Sequence, residues 1–183
     1  MIGAHLEADF LRLRASDSVP EATLGFSIFG RFVRCPEQDS PFPVRLEGRH
    51  LLLEEAGRLD SASGVEGVFR CLGGHPGVVA VPGERKATGV LVVLVDNLEP
   101  SREEEFNRWY DTVHVPDILS AGSFHWVTRY RAESPKSPAG YLAVYETDWE
   151  DPRSAVGAMA ARPTPAALWD AIAPFHLAVY RRS

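Results

Sequence analysis

"GVLVVLVDNLEPSREEEFNRWYDTVHVPDILSAGSFHWVTRYR", residues 89–131, holds the strand, helix and second strand on which the fold is decided. Its opening "GVLVVLV" is β-branched and apolar on both faces, the pattern of a strand buried at the centre of a sheet. Pro100 and Ser101 then open a helix, Glu103, Glu104 and Glu105 load its first turn with acid, and Gly122 closes it. "FHWVTRYR" (124–131) alternates and is rich in strand formers. Further on, "ESPKSPAG" (133–140) has turn composition and "YLAVYET" (141–147) is another strand. Asp151 and Pro152 supply an N-cap and a first helical residue, and "RPTP" (162–165) divides that segment into two helical pieces. "PFHLAVYRRS" (174–183) is the last strand. The order β-α-β-β-α-β defines an α+β, ferredoxin-like unit over residues 87–183.

Residues 1–86 give a weaker pattern. "HLEADFLRLR" (5–14) and "TLGFSIFGRFVRC" (23–35) suit strands, while "PVRLEGRHLLLEEAGR" (43–58) suits strand or helix. "SGVEGVFRCLGGHP" (63–76) reads as a short helix stopped by Gly-Gly, and "GVVAVPGE" (77–84) as a strand. Four strands and one helix are compatible with a divergent second copy of the same unit, with "PGERKATG" (82–89) as the boundary. The bare sheet face of residues 87–183 must then meet a second sheet, and residues 1–86, not a second chain, are expected to supply it.

The chain has 183 residues, 45% hydrophobic and 24% charged, with a net charge of −6. That balance disfavours nucleic acid and anionic membrane as partners, since both select clustered Lys and Arg. The two cysteines, Cys35 and Cys71, have no C-x-x-C spacing. No signal-peptide pattern opens the chain and "VLVVLV" is far too short to span a bilayer, so a cytoplasmic protein is expected. There is no H-E-x-x-H, zinc-type cysteine pair or EF-hand loop, so no metal is expected. Neither a G-x-S-x-G elbow nor a phosphate-binding loop occurs.

At about 100° per residue, Phe106, Trp109, Tyr110 and Val113 form the apolar stripe of the helix. Asn107 and His114 fall along one edge of it, with Tyr110 between them and the centre, and Asp111 further round within reach of His114 or of water. An amide, a phenol and an imidazole bordering an apolar floor are the materials of a pocket wall. Pro116 suggests that the helix ends or kinks at His114. Free carbonyls there would raise the histidine's pKa and burial would lower it. A tethering role for Asn107 and His114 is the plain alternative, and Trp109 and Phe106 are core residues first. Along the strands His125, Val127 and Arg129 share one face and Trp126, Thr128 and Tyr130 the other.

The helix matches F-N-x-W-Y-x-x-x-H-x-P at Phe106, Asn107, Trp109, Tyr110, His114 and Pro116. With its flanking strands it resembles the EthD-like branch of the dimeric α/β-barrel superfamily over residues 89–183. The resemblance implies ferredoxin-like units pairing their sheets face to face, pockets between sheet and helices, and a possible homodimer. It also implies chemistry drawn from cofactor-free isomerases, cyclases, monooxygenases and haem enzymes. The leading expectation is a cofactor-independent enzyme transferring protons on a small apolar, aromatic or polyketide-like molecule, as an isomerase, cyclase, dehydratase or lyase. His114 would be the acid–base, with Tyr110 and Asn107 polarising a substrate oxygen. Trp109, Phe106, His125, Trp126 and Tyr145 would line the site. Two other classes stay open: a haem protein ligated by His114, His125 or His176, and a non-catalytic binding or assembly module.

Overall fold

The computed structural model describes residues 9–19, 21, 27–35, 49–56, 67–77, 87–135, 137–163, 165–173 and 176–183. The expected strand at 77–84 and most of the boundary at 82–89 lie outside these residues. Eight strands close into a barrel: β1 (Phe10–Ser16), β2 (Ser27–Arg34), β3 (His50–Ala56), β4 (Val68–Pro76), β5 (Gly89–Val95), β6 (Trp126–Ala132), β7 (Tyr141–Thr147) and β8 (His176–Arg182). Around the barrel they run β1-β3-β2-β8-β5-β7-β6-β4, every neighbouring pair antiparallel.

The C-terminal strands lie in the order β8-β5-β7-β6, and the N-terminal ones in the order β4-β1-β3-β2. Numbered within its own quartet, each is thus fourth-first-third-second. At both seams the fourth strand of one quartet pairs with the second of the other: β4 with β6, and β8 with β2. The halves therefore join edge to edge as well as facing each other across the interior, where face-to-face packing alone was expected. Two quartets of the same strand order thus close one antiparallel barrel within a single chain.

Strand alternation divides the core in two. Leu11, Leu13, Phe32, Leu51, Leu53 and Phe69 fill the barrel together with Val90, Val92, Leu94, Tyr130, Leu142, Val144 and Tyr180. Leu91, Val93, Val95, Tyr141, Ala143 and Tyr145 point outward and are covered by helices. Among the described residues, helices cover only the C-terminal quartet.

Two expected helices are corrected. Residues 68–76 form β4 and not a helix ending at Gly-Gly, because the barrel needs a strand between β1 and β6. The glycines serve that strand. Gly73, at φ 155°, sits at the bulge that shifts register against β6, and a Cβ on Gly74 would lie 2.7 Å from the Trp126 ring. After α3 (Pro152–Ala160), whose Asp151 side chain accepts from the Arg153 N–H, no second helical piece follows among the described residues. Pro163 holds Arg162 out of helical geometry. The chain instead returns beside the end of β5, where Leu98 N–H donates to Ala171 O and Ala173 N–H to Asp96 O. Cys35 and Cys71 are free thiols. No helix among the described residues is long and apolar enough to cross a membrane.

Candidate functional site

The helix carrying the F-N-x-W-Y motif runs on past His114. It consists of α1 (Glu103–Trp109), a wide π turn (Tyr110–His114) and α2 (Val115–Leu119). Pro116 lacks an N–H, and in a regular ladder its ring would press on the carbonyl four residues back. The wide turn relieves this by shifting the ladder one residue, so that Val115 N–H donates to Tyr110 O. Pro116 then occupies the first turn of α2, where its missing N–H costs no bond.

That one-residue shift redirects the side chains. The buried positions become Phe106, Tyr110, Val115, Ile118 and Leu119, while Val113, expected in the apolar stripe, is 42% exposed. His114 turns toward the sheet. Its ring stacks on Trp109 (centroids 5.0 Å apart, planes at 24°) and meets Tyr110 edge-on at 4.8 Å.

Between this helix, α3 and the outward faces of β5, β7 and β8 lies a cavity of about 190 Å³. His114, Tyr110, Tyr145 and Arg162 line it among Leu91, Val93, Val95, Ile118, Met159, Leu168, Ile172 and Leu177. Burial pushes the His114 pKa down to about 4, outweighing the opposing pull of Asp117. The imidazole is therefore neutral at pH 7, and no hydrogen-bond partner holds it among the described residues. Tyr110 and Tyr145 place their hydroxyls 3.4 Å apart. Burial raises both phenol pKa values, so both stay protonated. A hydroxyl pair uses at most one of its protons internally, which leaves one for a ligand.

The other sequence-named residues lie elsewhere. Asn107 does not join the cavity: its Oδ1 accepts from Arg129 Nη2 at 2.7 Å. Asp111 does not reach His114 either, but accepts from Arg129 Nη1 at 2.5 Å and lies 3.2 Å from His75 Nε2 on β4. Arg129, only 2% exposed, stacks 4.1 Å from the Tyr110 centroid and so pins the helix to β6. Phe106 is core, packed on Tyr141 at 4.9 Å. Trp126 lies over Gly74 and donates from Nε1 to Thr128 Oγ1 at 3.0 Å. His125, just before β6, and His176, at the start of β8, are buried away from the cavity. Sequence reading missed Met159, from the last turn of α3, and Arg162, just beyond its end, neither of which carries a motif. It also missed the contact of His75 with Asp111, which joins the quartets across a seam.

No protein-family model matches the sequence, and no curated protein matches it. Solved structures similar to this chain include two enzymes. One is LmHde, a heme-degrading enzyme from Listeria monocytogenes, at 12% identity and TM-score 0.46, covering 94% of this chain and 98% of that one. The other is a dimeric chlorite dismutase from Nitrobacter winogradskyi, at 13% identity and TM-score 0.47, covering 95% and 99%. Similarity at this level assigns neither activity nor ligand, and the architecture stands on the chain's own strand pairings.

Proposed function

We propose that the cavity beside the π turn is a small-molecule site in which His114 moves a proton without a cofactor. One observation carries this reading: a neutral imidazole, without a hydrogen-bond partner among the described residues, and two protonated phenols converge on one apolar cavity. The imidazole lone pair would accept a proton from a carbon next to an electron-withdrawing oxygen function. The C–H electrons would pass to that oxygen, which a phenol O–H then stabilises by hydrogen bonding. Basicity lowered by burial suits a step in which the oxygen contact does much of the acidifying. Asn107, expected at the oxygen, instead positions the helix through Arg129. Membership of the EthD-like branch is part of the proposal and rests on the helix motif. The division into an N-terminal half, residues 1–86, and a C-terminal half, residues 87–183, of common plan is also part of the proposal, and the matching strand orders support it.

The test is deuterium exchange. Small enolisable compounds incubated with the protein in D2O should gain deuterium above background, and His114→Ala should remove about 10²-fold or more of that rate. Retained exchange in the variant would refute the reading.

The haem alternative fits the site poorly. A cavity of about 190 Å³ leaves no room for a porphyrin disc, and Trp109 and Tyr110 crowd the His114 ring on two sides. Hemin titration decides it: a sharp Soret band lost in His114→Ala would establish haem binding.

A further inference from the structure

Of the described residues lining the cavity beside the π turn, Leu168 is the most exposed, at 55%. Leu91, Val95, Tyr110, Ile118 and Tyr145 form other walls and are buried. A side chain that meets both the cavity and the solvent stands at the mouth. Leu168 belongs to residues 165–170, which pass between α3 and β8 without helix or strand. Among the described residues, no backbone N–H from Pro165 to Asp170 donates to a backbone carbonyl. The backbone is fastened only at its base, where Leu98 N–H donates to Ala171 O at 2.8 Å and Ala173 N–H to Asp96 O at 3.0 Å. Segments with so few backbone bonds are the ones that open at low cost.

Side chains hold the rest of the stretch, and they converge on one guanidinium. Arg102, in the short 3₁₀ turn Pro100–Arg102 ahead of α1, lies 4.3 Å over the Trp169 ring and places Nη1 3.2 Å from Asp170 Oδ1. Glu99 and Glu105 grip the same guanidinium at 3.0 and 3.1 Å and keep it in place. Trp169 also donates from Nε1 to Asn97 Oδ1 at 3.3 Å and packs on Phe106 and Trp109. Trp109 in turn stacks on His114. The Asp170 side chain is 72% exposed, so its ion pair competes with water and salt, and a surface cation–π contact adds little more. Arg102 itself does not line the cavity.

We propose that residues 165–170 are a strap across the mouth of the cavity, latched by Arg102 through Trp169 and Asp170, and that ligands reach His114 when the latch opens. This rests on the proton-transfer reading and supplies its access step. Opening carries Leu168 off the cavity and draws the Trp169 ring away from Trp109, so access and the setting of the His114 ring are linked. Closing returns Leu168 to the mouth and shuts water out around the imidazole.

The experiment uses diethyl pyrocarbonate, which acylates an unprotonated imidazole nitrogen within its reach, and peptide mass spectrometry to give each histidine its own rate. At pH 7, in the full chain, His114 of wild type should react slowly, and Arg102→Met should speed it about fivefold or more. Because Arg102 does not line the cavity, that gain reports the strap. Raising the ionic strength from about 0.05 to about 0.5 M should speed His114 about twofold in wild type and leave the variant unchanged. His176, buried in the sheet, is the control for global unfolding and should stay unreactive in both proteins. An unchanged His114 rate in the variant, no reaction at His114 in either protein, or a parallel rise at His176 overturns the inference. Deuterium exchange keeps the two readings apart. Exchange that depends on His114, with acylation indifferent to Arg102, leaves the base standing without the latch. Acylation controlled by Arg102, with no exchange, leaves the latch standing without the base.

Discussion

Protonating His114 should unfold the protein by a predictable amount. Burial depresses its pKa from 6.5 to about 4, so between those values the unfolded chain binds a proton that the folded chain refuses. The stability from the neutral ring is therefore complete above about pH 6.5 and falls as the solution is acidified. It levels off once pH passes below the folded value. A gap of roughly 2.5 pKa units at 1.36 kcal/mol each sets the total loss at about 3 kcal/mol. The steepest slope is about 1.2 kcal/mol per pH unit, near pH 5. His114→Phe keeps an aromatic ring on Trp109 and cannot titrate. Urea unfolding of both proteins from pH 7.5 to 4 should give a stability difference that shifts against wild type by about 3 kcal/mol. NMR titration of the His114 ring should show no protonation above pH 5. Parallel stability curves, or a ring that titrates near 6.5, would refute the burial argument and with it the neutral base.

The wide turn has its own test: Val113→Asn should stay within about 0.5 kcal/mol of wild type by denaturant unfolding, whereas a regular helix would make it severe. Arg129→Met should cost about 1.5–3 kcal/mol, since Asn107 and the partly exposed Asp111 lose the cation that fastens them to β6; a change below about 0.5 kcal/mol by thermal melting would remove that role. Trp109 is only half-buried, so Trp109→Ala should fall short of the ~3–5 kcal/mol of a full aromatic core deletion. It should nonetheless abolish deuterium exchange, because the indole backs His114.

Much of the C-terminal half was legible because local chemistry and tertiary demand agree there. The run from Gly89 to Val95 is apolar on both faces and is buried on both faces, one by the barrel interior and one by helices. Asp151 caps α3 as its sequence position foretold. In residues 68–76 local and global signals diverge. Gly73 and Gly74 resemble a helix stop, yet the bulge and the approach of Trp126 that explain them belong to a partner strand more than fifty residues away. Periodicity counted at 100° per residue placed Tyr110 correctly and failed from Val113 onward, since no such count anticipates a wide turn. Pro116 marked the spot without saying whether the helix would end or re-register. The site is split in the same way. His114 and Tyr110 come from one motif, Tyr145 from a strand whose two faces the alternation separated without telling which would meet the helices, and Arg162 only from the way the chain leaves α3.

The π turn is, in genetic terms, the mark of one residue more than a regular helix can use. Upstream of it the helix keeps its grip on the sheet through Phe106 and on Arg129 through Asn107. Downstream, every side chain is turned by one position, and this is what delivers His114 to the cavity and sends Val113 to the surface. Losing a single codon at Thr112, whose hydroxyl bonds back to the Arg108 carbonyl, would return the ladder to i→i+4 spacing and leave the imidazole on the pocket wall, because the residue removed is the one the wide turn absorbs. The barrel strands would feel little of it. A chemical group has thus been placed beside the sheet by the winding of one helix, leaving the sheet itself untouched.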